Sequence, residues 1–134
     1  LEKTIILVAE DEALIRLSAV MMLEDAGYQV LEACTAEEAV EVLESRTDIA
    51  AVFTDIEMPP GTLCGLRLAQ AVKDRWPAIQ VIVTSGRKAI AELDFPRLGR
   101  FIRKPYQPEQ VLTALAELLG RPPFPFKTSH VQQR

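Results

Sequence analysis

The sequence predicts an α/β fold: a doubly wound, five-stranded parallel sheet with helices on both faces. Three observations carry that prediction. Short apolar runs recur along the 134 residues and alternate with stretches of helical period, the pattern of right-handed strand–helix–strand crossovers, which leave few topologies open. The runs are continuously apolar, as in Thr4 to Ala9 and Ile49 to Thr54, which suits strands covered on both sides. Four of them also end in polar residues: Glu10-Asp11-Glu12, Asp55, Thr84-Ser85-Gly86 and Lys104-Pro105.

The elements follow in order. Thr4 to Ala9 reads as the first strand. From Ala13 the period turns helical, with Leu14, Leu17, Val20, Met21 and Leu23 or Glu24 as the expected inward turns and Gly27 as the stop. Met21, Met22 and Trp76 are expected to pack in the core. Tyr28 to Ala33 gives the second strand, and Thr35-Ala36-Glu37-Glu38 opens the next helix as a capping box, lasting to about Ser45. The third strand ends at Asp55. Leu66, Leu68, Ala69, Val72 and Trp76 then predict a helix stopped by Pro77, followed by a strand from Ile79 to Val83. Arg87 to Leu93 offers only a short or irregular fourth helix before Asp94-Phe95-Pro96. Phe101 to Arg103 is the fifth strand, and Pro108 begins a last helix with Val111, Leu112, Leu115, Leu118 and Leu119 as its apolar stripe, ended by Gly120.

Composition limits the functions. With 49% hydrophobic and 25% charged residues, the chain fits one domain over residues 1–120, and the Pro-rich stretch 121–134 reads as a tail. Phe124 and Phe126 could serve a partner, pack back or fray. A formal net charge of -4 and a pI near 5.1 argue against direct binding to nucleic acid, which demands clustered Lys and Arg. Cys34 and Cys64 have neither disulfide nor zinc spacing, so a reducing cytoplasm is expected. No apolar stretch approaches the ~20 residues of a membrane span. The first residue is Leu1, as at a processed or trimmed start.

If the strands are parallel neighbours, their carboxyl ends share the edge where open α/β sheets bind ligands. Acids, a hydroxyl and an ammonium would converge there, a combination suited to a divalent cation and a phosphoryl group. Each signal has a plainer alternative: Glu10-Asp11-Glu12 could merely complement the positive end of the following helix. Thr84 could be a β-branched strand residue. Lys104 could be a solvated surface lysine and Phe101 simple core.

The four motifs, in this order, resemble the receiver domain of two-component response regulators, and the likeness runs from Thr4 to Leu119. The resemblance implies a flavodoxin-like, CheY-like receiver fold. It implies Asp55 as phosphoacceptor, Glu10 and Asp11 as the acidic pair holding Mg2+, and the Glu57 backbone carbonyl as a further ligand. Within that pair Asp11 would be the closer ligand and Glu10 would act through water. It also makes Thr84 the switch hydroxyl, Lys104 the phosphate-binding lysine before a cis-prone Pro105, and Phe101 the mobile aromatic. Expected partners are a sensor histidine kinase or histidine phosphotransfer protein and a downstream protein target; a second copy could pair with it as a homodimer. The single histidine, His130, lies in the tail, so the phosphoryl group is expected to come from another protein.

The chain departs from the commonest receiver pattern in several places. Glu10 replaces the more frequent aspartate. The loop from Asp55 to Gly65 is longer, with Pro60-Gly61-Thr62 inserted and Cys64 in place of a small polar or acidic residue. The segment from Thr84 to Phe101 is shorter. The leading expectation is a phosphorylation-dependent signalling receiver that catalyses only its own phosphorylation and dephosphorylation. One alternative is an aspartate-nucleophile, Mg2+-dependent phosphatase of the haloacid dehalogenase type. Its Asp-x-Asp motif after the first strand is absent here. The other is a phosphate-independent, receiver-like binding module.

Overall fold

The computed structural model describes residues 3–58, 64–86 and 99–120. Within them the chain runs β1 (Ile5–Ala9), α1 (Ala13–Asp25), β2 (Gln29–Ala33), α2 (Ala36–Ser45), β3 (Ile49–Asp55), α3 (Gly65–Arg75), β4 (Gln80–Ser85), β5 (Arg100–Arg103) and α4 (Pro108–Leu118). The short helix expected from Arg87, the insert Pro60-Gly61-Thr62 and the tail 121–134 lie outside the described residues.

All five strands pair in parallel in the order β2-β1-β3-β4-β5. The chain turns one way from β1 to β2 and the other way from β3 onward, so a crevice opens between the carboxyl ends of β1 and β3. Alternate residues of each strand feed opposite layers. Ile5, Leu7, Ala9, Val52, Val81 and Val83 pack under α2 and α3. Ile6, Val8, Ala51, Phe53, Ile82 and Ile102 pack under α1 and α4. Helices thus cover both faces, which is why the inner strands β1 and β3 are almost wholly buried, while the edge strands β2 and β5 carry Gln29, Glu32, Arg100 and Arg103.

Local signals explain several boundaries. The Thr35 hydroxyl oxygen accepts from the Glu38 N–H at 3.0 Å, while the Glu38 carboxylate reaches one residue further back than a standard capping box, accepting from the Cys34 N–H. Pro108 stands in the first turn of α4, where a missing N–H costs nothing. Gly27, at φ +99°, ends α1 in a backbone conformation that a side chain would resist.

The helix α1 corrects the expectation. Val20 and Leu23 are buried as expected, together with Ala19, whereas Leu14, Leu17 and Met21, also expected inside, are 81%, 51% and 54% exposed. At about 100° per residue, Leu14, Leu17 and Met21 cluster on the side of the helix opposite Ala19, Leu23 and Ala26. Because α1 carries apolar residues nearly all round, its sequence offers two competing stripes. Met22 and Trp76 do pack against the core as expected.

Candidate functional site

The period-2 geometry of the strands builds the site. In β1 the series Ile6, Val8 leads to Glu10; in β3 Ala51, Phe53 leads to Asp55; in β4 Ile82 leads to Thr84; and from β5 Ile102 leads to Lys104. Each series faces the α1/α4 layer, so the four polar residues continue one apolar face past the sheet edge. Register aligns them: Ala9 pairs with Thr54, Asp55 with Thr84, and Thr84 with Ile102.

Asp55 is buried beside the Lys104 ammonium, with Nζ 3.2 Å from Asp55 Oδ2 and 4.0 Å from Glu10 Oε1. The peptide bond from Lys104 to Pro105 is cis, and the Lys104 N–H donates to the Ser85 carbonyl at 3.0 Å. One ligand oxygen from each of Glu10, Asp11 and Asp55 lies within 4.8 Å of the others. Asp11 stands at the open rim and the other two are buried. Glu12 begins α1 as its exposed N-cap residue, and its N–H donates to Glu10 Oε2 at 3.1 Å.

The electrostatics follow from crowding. Burial pushes the Glu10 carboxyl up to about 7, aided by the neighbouring Asp55 charge and opposed by the Glu12 N–H and Lys104. Burial likewise raises Asp55, against the pull of Lys104. A single ammonium therefore leaves the carboxylate group short of positive charge. Hard divalent cations such as magnesium take oxygen donors and only one or two carboxylates directly, retaining several waters. The three acids fit that demand.

Thr84 is buried at the end of β4, and its Oγ1 has no hydrogen-bond partner among the described residues. A buried hydroxyl without a partner is uncommon and calls for an explanation. Phe101, half-buried and paired with Val83, lies on the other face and packs with the α2/α3 layer. Glu57 follows β3 by two residues; its N–H makes a long 3.4 Å bond to Asp55 Oδ1, and its carboxylate accepts from the Ser85 hydroxyl at 2.6 Å.

Sequence reasoning missed several supports. Tyr106 lines the crevice with Glu10, Asp55, Thr84 and Lys104, and packs edge-on against Phe53 at 5.9 Å between ring centroids. Burial, then the charges of Glu10 and Asp55, raise its phenol above the ordinary range. Its place directly after Lys104-Pro105 was the available signal. Arg16 donates to the Glu10 carbonyl and to Glu32, both at 3.0 Å, tying α1 to the ends of β1 and β2. Gly65 is dictated by close approach, since a Cβ there would fall 1.8 Å from the Asp55 carbonyl oxygen; only glycine lets α3 start so near the strand end.

The chain is similar to known proteins. The receiver protein CpdR of Brucella abortus is 29% identical over 117 residues, covering 85% of this chain and 95% of CpdR. The sensor kinase CckA of the same species is 30% identical over 124 residues, 87% of this chain but 12% of CckA. The chain also spans a quarter or less of the NtrX-like regulators of Rickettsia that it matches. Among solved structures, the response regulator TrrA of Thermotoga maritima, in complex with Mg(2+)-BeF, superimposes with a TM-score of 0.78 at 25% identity, covering 87% of this chain and 99% of TrrA. The family model described as the response regulator receiver domain matches residues 6–116, and the chain belongs to that family.

Proposed function

We propose that this chain is a phosphorylation-dependent signalling receiver of a two-component system. Asp55 accepts a phosphoryl group from a phosphohistidine on a sensor histidine kinase or histidine phosphotransfer protein, and the modification alters a surface read by a downstream protein. The observation that carries the reading is the Lys104 ammonium 3.2 Å from Asp55 Oδ2, beside a buried acidic group.

Attack forms a bond from an Asp55 carboxylate oxygen to phosphorus while the phosphorus–nitrogen bond breaks and its electron pair returns to the donor imidazole. A carboxylate is a weak nucleophile toward an anionic phosphoryl group, so fixed positive charge is required. Lys104 supplies one such charge to the transferring oxygens. Glu10, Asp11, Asp55 and the Glu57 carbonyl would hold Mg2+, which when bound supplies the rest. The Thr84 hydroxyl, without a partner in the described residues, is free to donate to a phosphoryl oxygen, and Phe101 would then shift.

The domain spans residues 1–120 in this reading, acts in the cytoplasm, and modifies only itself. No helix among the described residues is long and apolar enough to cross a membrane. The phosphatase alternative fits less well, since Asp55 ends the third strand rather than the first. Intact-mass measurement in Mg2+ with phosphoramidate tests the proposal. A single phosphoryl adduct, absent from Asp55→Asn, is expected; an unmodified wild type would favour the phosphate-independent binding module.

A further inference from the structure

Ser85 and Thr84 are adjacent on β4 and, by strand alternation, serve opposite faces of the sheet. Thr84 belongs to the crevice. Ser85 is completely buried and sits behind it, in line with Val81 and Val83 of the α2/α3 layer. From there its hydroxyl donates to Glu57 Oε2 at 2.6 Å, the short length of a charge-assisted O–H···O⁻ bond.

Glu57 occupies a mechanically exposed position. Ile56 is the last residue tied to the sheet, its N–H donating to the Thr84 carbonyl at 2.9 Å, and its own carbonyl accepts from Gly65 at 3.0 Å. Beyond it, among the described residues, the Glu57 backbone is held by the 3.4 Å bond to Asp55 Oδ1. Burial of Met58 anchors the turn as a whole. It does not fix the rotation of the Glu57 peptide, because a side chain one residue on can stay buried while that peptide turns.

We propose that Ser85 is a positioning residue for the metal site: by gripping the Glu57 carboxylate from the far face of the sheet, it fixes the turn after Asp55 so that the Glu57 backbone carbonyl is presented to the cation. This rests on the phosphoryl-acceptor reading above and extends it to a residue that touches neither metal nor phosphate. The Glu57 carboxylate acts as a handle, and its hydrogen-bonding capacity matters more than its charge. Groups that orient metal ligands without binding the metal typically change affinity about 10–100-fold when removed.

The test is a set of Mg2+ titrations on Ser85→Ala, Glu57→Ala, Glu57→Gln and the Ser85→Ala/Glu57→Ala double variant. Half-saturation is read by NMR and by the rate of phosphoramidate-driven phosphorylation. Ser85→Ala is expected to raise the Mg2+ half-saturation about tenfold, with the maximal rate regained at saturating Mg2+. Glu57→Gln, which still accepts the hydrogen bond, should lie nearer wild type than Glu57→Ala. The double variant should bind no more weakly than Glu57→Ala alone, because both changes remove one interaction. A general loss of structure would lower the thermal midpoint without this pattern. Wild-type affinity in Ser85→Ala, or multiplying losses in the double variant, would overturn the inference while leaving the acceptor reading intact. Should Ser85→Ala fail to fold, equal weakening in Glu57→Gln and Glu57→Ala would sink the idea by itself. A wild-type protein that binds no Mg2+ and takes no phosphate would instead remove the reading on which it rests.

Discussion

Lys104 Nζ lies 3.2 Å from Asp55 Oδ2, and the two residues meet only because β5 and β3 flank β4 in one parallel sheet. That contact is the sole cationic side chain paired with the buried acids of the crevice among the described residues. Lys104→Ala should therefore still bind Mg2+ while losing about 10²–10³-fold in phosphorylation rate, the cost of removing one group aimed at developing charge. Stopped-flow or quench assays at saturating Mg2+ measure it, and a loss under threefold would count against the role.

The rim and buried acids should separate from their neighbour. Asp11→Asn is expected to weaken Mg2+ strongly, and Glu12→Gln only slightly, since Glu12 is the exposed N-cap of α1. Isothermal titration on both variants decides; similar losses would reject the division.

Thr84→Ala should leave resting stability within about 0.5 kcal/mol of wild type or raise it, because the buried hydroxyl it removes has no partner among the described residues. The variant should accept phosphate yet show much smaller NMR shifts from Gly86 to Arg103 on phosphorylation. A large loss of resting stability would mean that the hydroxyl already has work to do.

Stability should depend on pH in a direction opposite to that of most carboxylates. Glu10 is raised from 4.5 to about 7 by burial, so between those values the folded state holds a proton that the unfolded state has released. Its contribution is full below about 4.5 and is lost as pH rises through 7. The raised Asp55 acts with the same sign. Metal-free protein should thus lose stability to urea from pH 5 to pH 8, Glu10→Gln should flatten the slope, and Mg2+ should offset the loss at the upper end. A stability that climbs steadily over that range in metal-free protein would contradict the assignment.

The two faces of α1 should answer very differently to mutation. Leu23→Ala, at a fully buried position, is expected to cost about 2–5 kcal/mol. Leu17→Ala and Met21→Gln should stay within about 0.5 kcal/mol. Urea denaturation gives the comparison.

The sequence by itself determined the strands, their order along the chain and the residues at their carboxyl ends. Strands buried on both faces must be continuously apolar, so Glu10, Asp55, Thr84 and Lys104 stand out where those runs stop. Short-range chemistry also marked the Thr35 cap and the Gly27 stop, because each depends on atoms within a few residues. Tertiary structure alone decided which side of α1 faces inward, since Leu14, Leu17 and Met21 are as apolar as Ala19, Val20 and Leu23, and only the packing surface of the sheet distinguishes them. It also decided that Ser85 meets Glu57 and that Tyr106 closes on Phe53. Those contacts join residues far apart in the chain, and they form only once strand register has fixed which side chains stand side by side.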